Sequence, residues 1–167
     1  MRVYVPATLA MLQGLVADGS LQPRSGTAFA VTPTLRESYA EGDDEELAEV
    51  ALGEAALASL RLLAAESPGE LPLRRAVVVA DAPDDLVTLR PDLDDAVVRV
   101  GGRVALEQVV AAYVDNADAE PAVRAAVDVV DEADLGDEDA EFTVGDAQDH
   151  SLAWYATQEL PFLLELL

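Results

Sequence analysis

The chain has 167 residues and a formal net charge of −23, because 33 carboxylates face only ten basic residues, all of them arginine. Such a charge repels the phosphate backbone of nucleic acids and anionic lipid headgroups, so the sequence argues against direct binding of DNA, RNA or a membrane. Cysteine is absent, which excludes disulfides, thiolate nucleophiles and cysteine-ligated metals. We expect a cytoplasmic protein with no cofactor.

The length suggests one domain, residues 1–167, and a hydrophobic content of 51% is enough to form a core. The first residues lack the pattern of a signal peptide, because the short apolar stretch is broken by Pro6. No apolar run approaches the roughly twenty residues of a membrane span.

The first half of the chain alternates strand-like and helix-like segments. Residues 2–5 and 27–31 are typical of short strands, and residues 9–18 have the apolar spacing of a helix. A long helix is predicted over residues 44–66, since carboxylates occupy its first turn and Pro68 follows it. Its leucines surround much of the helix, so we expect it to pack on more than one side.

The second half contains the strongest strand pattern. Residues 75–80 are apolar and β-branched, which indicates a central strand covered on both faces, and residues 96–100 form another strand. After Gly101 and Gly102 either a hairpin or a helix can follow, and the spacing of apolar residues over 106–114 favours the helix.

A further helix is predicted from Pro121, because Val123 and three later apolar residues recur at helical spacing. Residues 128–149 contain ten carboxylates and no arginine, so part of this stretch is expected to be solvated loop. Residues 152–155 resemble a last strand and residues 159–167 a short apolar helix. Together these elements predict an α/β or α+β sandwich with a mostly central sheet of four to five strands and about five helices.

Few residues suggest catalysis or metal binding. His150 is the only histidine, and Asp149 beside it could raise its pKa for acid–base chemistry, but a surface histidine without a special role is commoner. Three carboxylate clusters, around Asp81, Asp92 and Asp137, offer oxygen ligands for Ca²⁺ or Mg²⁺, yet such charge runs are usually solvated surface. We therefore predict no metal site and no catalytic residue.

A small-molecule or enzyme site is the second hypothesis. A chemically varied segment in the longest polar connection would face the aromatic segment near the end of the chain, with Arg36 as a positive anchor. The residues of this site would be Thr32, Thr34, Arg36, Tyr39, His150, Trp154, Gln158 and Glu159. The commoner interpretation is that Arg36 pairs with a nearby acid and that Trp154 closes the core.

The last residues suggest a protein interface. They carry more apolar surface than an exposed tail should, so they must dock on their own domain or on another chain. The predicted interaction residues are Leu160, Phe162, Leu163 and Leu166. Our leading hypothesis is a non-catalytic acidic protein that binds a protein partner or forms a homodimer, and a third hypothesis is an acidic mimic of nucleic acid.

Three segments resemble a family of uncharacterised actinobacterial proteins of similar size. They are residues 1–8, residues 30–33 with Arg36 and Glu37, and residues 154–160, so the likeness extends over nearly the whole chain. The resemblance implies a cytoplasmic protein from a GC-rich genome and brings no activity or site residues with it. The absence of lysine and isoleucine fits such a genome, although adaptation to a salty cytoplasm would also explain the acidity.

Overall fold

The structure is a computed structural model that describes residues 1–167 and contains nine strands and six α-helices. The strands are β1 (Arg2–Ala7), β2 (Ser20–Leu21), β3 (Thr27–Phe29), β4 (Ala76–Asp81), β5 (Val87–Leu89), β6 (Val97–Val100), β7 (Val104–Ala105), β8 (Val109–Val114) and β9 (Ala153–Ala156). The helices are α1 (Leu9–Asp18), α2 (Pro33–Ser38), α3 (Asp44–Ala65), α4 (Glu120–Asp134), α5 (Glu138–Gln148) and α6 (Leu160–Glu165).

Seven strands form one antiparallel sheet in the order β5-β6-β3-β1-β4-β8-β9, and β2 and β7 form a separate pair. The fold is therefore α+β, since every neighbouring pair in the sheet is antiparallel. The prediction of four to five strands and about five helices was approximate: β2, β5 and β7 are only two or three residues long, and β8 was predicted to be a helix. The predicted central strand is confirmed as β4, which lies between β1 and β8.

The two faces of the sheet build separate cores. Val3 and Val5 of β1 point to one face, together with α1, α6 and the β2–β7 pair, while Tyr4 points to the other face. Helix α3 covers that second face, and a neighbouring side of the same helix packs on α4 and α5. The helices and the sheet thus form three main layers, and the expectation that the long helix packs on two sides is confirmed.

Short polar residues cap the start of α1, α3 and α5. The hydroxyl of Thr8 accepts a hydrogen bond from the Met11 N–H at 3.3 Å, and the carboxylate of Asp43 accepts one from the Glu46 N–H at 2.9 Å. Asp137 does the same for the Ala140 N–H at 2.9 Å. Each side chain satisfies a donor that the helix itself leaves free.

The helix predicted over residues 106–114 was wrong, and the solvated loop expected within residues 128–149 is limited to a short exposed turn. Residues 106–114 form a short 3₁₀ turn and then β8. The prediction failed because β8 lies inside the sheet and both its faces are largely buried, so its sequence lacks the alternation that marks a strand. Residues 128–149 contain the end of α4 and all of α5, and only residues 135–137 separate the two helices. The second helix has a buried face of small residues, Ala140, Val144 and Ala147, whose pattern is faint among so many acids.

Candidate functional site

A buried ion pair links the start of β4 to the end of β8, its neighbour in the sheet. Arg75, which precedes β4, is 1% exposed, and Asp115, which follows β8, is fully buried. The guanidinium donates two hydrogen bonds to the carboxylate, from Nε at 2.9 Å and from Nη2 at 2.7 Å, and the Arg75 backbone N–H donates a third at 2.8 Å. Such a two-point pair fixes both the distance and the orientation of the strand ends.

The remaining donors of Arg75 hold the chain that leads into β9. Nη2 donates to the backbone oxygen of His150 at 2.8 Å, and Nη1 donates to the side-chain oxygen of Gln148 at 3.0 Å. Gln148 in turn donates to the backbone oxygen of Gly53 in α3 at 3.1 Å. Because these donors and acceptors are committed to internal partners, this end of the sheet is a structural clamp for the start of β9.

Strand β9 is held at its other end as well. The hydroxyl of Thr157 donates to the backbone oxygen of Val109 at 2.9 Å, and Glu159 accepts a hydrogen bond from the Ala156 N–H at 2.8 Å. The carboxylate of Glu159 is thus committed to capping this turn of the backbone. The short strand is therefore fixed on β8 from both ends.

The outer side of β9 forms the edge of the sheet, because β8 is its only neighbour. Trp154 lies in this strand and its residue is 58% exposed, so it does not close the core as the commoner interpretation of the sequence expected. Tyr155, the next residue, packs partly against the core on the other face. An exposed tryptophan on an unpaired strand edge is the most prominent apolar feature of this region.

Helix α6 follows β9 after a short turn. Two of the four predicted interaction residues are buried here and two are exposed. Leu160 is fully buried and Leu163 is 7% exposed, and both belong to the core that includes α1. Phe162 and Leu166 are 68% and 85% exposed. The apolar tail therefore docks on its own domain through the first pair and leaves the second pair for another surface.

The polar segment around Arg36 lies elsewhere in the molecule. Thr32 is buried and caps α2, since its hydroxyl accepts from the Leu35 N–H at 3.0 Å and donates to the backbone oxygen of Asp95. Arg36 is exposed and pairs with Asp44, which holds the pKa of that carboxyl below its usual range. The commoner interpretation of Arg36 is thus the observed one.

The structure does not bring the two halves of the predicted small-molecule site together. The polar segment follows β3 and the aromatic segment belongs to β9, and β1, β4 and β8 lie between them. Four strand spacings separate the two, which is about 19 Å. His150 precedes β9 and Gln158 follows it, so they lie at opposite ends of that strand, and it is the backbone of His150, not its imidazole, that joins the clamp.

Two of the protein's cavities lie beside α3. The larger, about 600 Å³, lies beside residues 66–73 and is bordered by α1, the end of α3, and Arg124 of α4. The smaller, about 110 Å³, is bordered by Tyr39, Asp94 and Glu54. Burial first, and then the charge of Asp94, raise the pKa of the Glu54 carboxyl. Thr34, the last of the predicted ligand residues, borders neither cavity.

Sequence reasoning missed one surface entirely, the outer face of α5. Phe142 on this face is 78% exposed, although a phenylalanine in a helix usually marks the buried side. The signal that could have found it is the helical period of Ala140, Val144 and Ala147, which places Phe142 opposite the buried face. Nowhere in the structure do three acidic or histidine side chains converge in a way that could hold a metal ion.

The fold and these surfaces define a small antiparallel α+β protein, and no helix in it has the length and apolar character needed to cross a membrane. The chain belongs to a family of unknown function, DUF6912, whose model matches residues 1–164. The expected resemblance to an uncharacterised family is thereby confirmed. No curated protein and no solved structure matches the chain.

Proposed function

We propose that the protein is a non-catalytic binding protein that docks a protein partner on the edge formed by β9 and α6. The observation that carries this proposal is the free edge of β9 with Trp154 exposed on it. A free strand edge offers unpaired N–H and C=O groups to an incoming strand, and natural proteins usually protect such edges by keeping them very short or with lysine, proline or inward-pointing charge. Strand β9 is short, with four residues. It contains no lysine, proline or charged residue, since its sequence is AWYA.

Backbone pairing and aromatic burial would act together at this edge. A partner strand added to β9 gains main-chain hydrogen bonds, while side-chain contacts supply specificity. Trp154 is the single tryptophan of the chain, and tryptophan is among the residues that contribute most to interface energies. Phe162 and Leu166 add exposed apolar surface on the helix that follows.

Electrostatics favour a different protein over a second copy as the partner. Two chains of charge −23 repel each other when they come into contact, because physiological salt screens charges only beyond about 8 Å. A partner with a neutral or basic docking surface carries no such penalty. A cytoplasmic site of action fits a chain without cysteine, and a lysine-free composition fits the GC-rich actinobacterial source that the sequence suggested.

The test is an affinity capture from the cytoplasm of the source cells, with the wild-type chain and the variant Trp154→Ala as baits. Leu93→Ala is the matched control, because Leu93 is also half exposed and lies near the β5 edge of the sheet. We expect one protein to bind the wild type and the control at high salt but not Trp154→Ala. Emission of Trp154 in the purified complex should shift to shorter wavelength, as burial of an indole requires.

Two results would contradict the proposal. One is a partner that binds all three baits equally, and the other is a purified complex in which the tryptophan emission is unchanged. Sedimentation of the free protein adds a separate check, since a stable dimer that Trp154→Ala dissolves would show that the edge serves self-association.

A further inference from the structure

The outer face of α5 is a helix face without a partner in the fold. Six residues spaced along its length lie on this face, which is opposite the buried side of the helix. They line one shallow groove of about 540 Å³, and we name them the α5 groove: Glu138, Glu141, Phe142, Gly145, Asp146 and Asp149. Phe142 is the one large apolar residue that lines the groove, and it is 78% exposed.

The charge of the groove is not neutralised within the protein. None of its four carboxylates takes part in an ion pair. Residues 128–149 contain ten carboxylates and no arginine, and the only ion pair in this range joins Asp134 to Arg61. The groove therefore places a large apolar side chain inside an uncompensated negative field.

The shape of the groove suits a helix more than an extended segment. Eleven residues of α5 give a face about 16 Å long. Gly145 leaves open space beside Phe142, since a Cβ added there would meet no atom within 4 Å. Glycine at such a position lets a second helix approach closely, and apolar contacts at i, i+3 and i+4 of that helix could cover the phenyl ring.

We propose that the α5 groove binds a basic amphipathic helix of a partner protein, with lysine or arginine over the four carboxylates and an apolar residue against Phe142. Charge complementarity selects this occupant. A second copy of this chain would bring its own negative charge, while a cationic helix is drawn to the groove and relieves the repulsion among the carboxylates. None of the residues that line the groove belongs to β9, so the two proposals are tested with different variants.

The experiment measures binding of two labelled synthetic helices to the purified full-length chain by fluorescence anisotropy at about 0.15 M salt. The first is an amphipathic peptide of about 18 residues, five helical turns, with leucine on one face and lysine and arginine on the other. The second has the same charge but serine in place of leucine. We expect the leucine peptide to bind at least about tenfold more tightly, because only it can cover Phe142.

Four variants separate the groove from general acidity. Phe142→Ser and Gly145→Gln should each abolish the preference for the leucine peptide, the first by removing the anchor and the second by filling the space beside it. The pair Glu138→Gln with Glu141→Gln should weaken binding severalfold. The matched pair Glu37→Gln with Glu41→Gln removes the same charge from another exposed segment and should change binding less than twofold.

Equal binding of the two peptides would overturn the proposal, as would equal weakening by the two charge pairs, because either result means non-specific attraction. The proposal also requires that Gly145→Gln, which keeps the phenyl ring, loses the preference for the leucine peptide. If this variant binds both peptides like the wild type, the space beside Phe142 is not part of the site. Trp154→Ala should bind the leucine peptide normally. If it does not, the peptide has found the β9 edge and the assignment to α5 is wrong.

Discussion

The two sides of α5 differ in whether their charged neighbours are paired. On the inner side, Gln148 joins the network in which Arg75 and Asp115 are fully matched and almost inaccessible to water. On the outer side, four carboxylates line the same groove as Phe142, and none of them takes part in an ion pair. Ten arginines cannot neutralise 33 carboxylates. An arginine is essential beside a buried carboxylate, because an unpaired buried charge is costly, whereas water solvates the exposed carboxylates.

The largest expected effect comes from breaking the inner network. Asp115→Asn removes the counter-charge of Arg75 while keeping the shape, and we expect the free energy of unfolding to fall by about 3–5 kcal/mol, because an unpaired buried charge remains. Urea denaturation measures it. The control is Asp118→Asn, an exposed aspartate three residues away, which should change stability by less than about 0.5 kcal/mol. Similar values for the two variants would show that the network contributes no special stability.

A smaller effect is expected at the start of α5. Asp137→Ala removes the carboxylate that accepts from the Ala140 N–H, and loss of such a cap costs about 1 kcal/mol. Thermal unfolding followed by circular dichroism measures the change, with Asp139→Ala as a control that removes the same charge without the cap. If both variants lose equal stability, the helix dipole and not the cap explains the role of Asp137.

The ion pair between Arg61 and Asp134 lies between the two extremes, because it is bidentate but more than a third exposed. Its hydrogen bond to Arg61 lowers the pKa of the Asp134 carboxyl. A lowered pKa contributes stability above the ordinary aspartate value of about 3.9, and this stability is lost as the pH falls through the lowered pKa. Arg61→Gln should therefore cost at most about 1 kcal/mol at pH 7. The free energies of unfolding of the wild type and Arg61→Gln should therefore converge in acid. A difference between them that stays constant down to about pH 2 would rule out the electrostatic explanation.

The smallest effect is expected on the outer side. Asp146→Asn removes a carboxylate near the C-terminus of α5, where the helix dipole disfavours negative charge, so stability should rise by about 0.3–0.5 kcal/mol. The gain should shrink in about 1 M salt, which shortens the screening length to about 3 Å. A loss of stability, or a gain that salt leaves unchanged, would mean that Asp146 has a partner in solution.

Much of the fold could be predicted from local patterns where those patterns were strong. The helix predicted over residues 44–66 is α3, and the helix predicted from Pro121 is α4, because caps, proline and apolar spacing agree there. The strand over residues 75–80 corresponds to β4, because three successive β-branched valines favour a strand even without alternation. Strand β8 could not be identified, because a strand buried on both faces shows no alternation and its spacing also fits a helix.

The candidate site was less predictable than the fold. Burial of Leu160 and Leu163 and exposure of Phe162 depend on how α6 meets α1, which no local pattern reports. The distance between the Arg36 and Trp154 segments depends on strand order, and that order is set by contacts between residues far apart in the chain. The exposure of Phe142 could not be predicted once residues 128–149 were expected to contain loop, because only the register of α5 places this ring on the outer face.

The central position of β1 has a consequence for how the chain reaches its fold. The first strand finds one neighbour in β3, yet its other neighbour, β4, begins at Ala76, and α6 closes the same core from the far end of the chain. At a synthesis rate of about 5–20 residues per second, β1 waits several seconds for β4 to be made. Pairing across such separations also slows folding after synthesis. During that interval the valines of β1 are exposed, so the nascent chain passes through a stage that is vulnerable to aggregation, and its high negative charge helps to keep such chains apart.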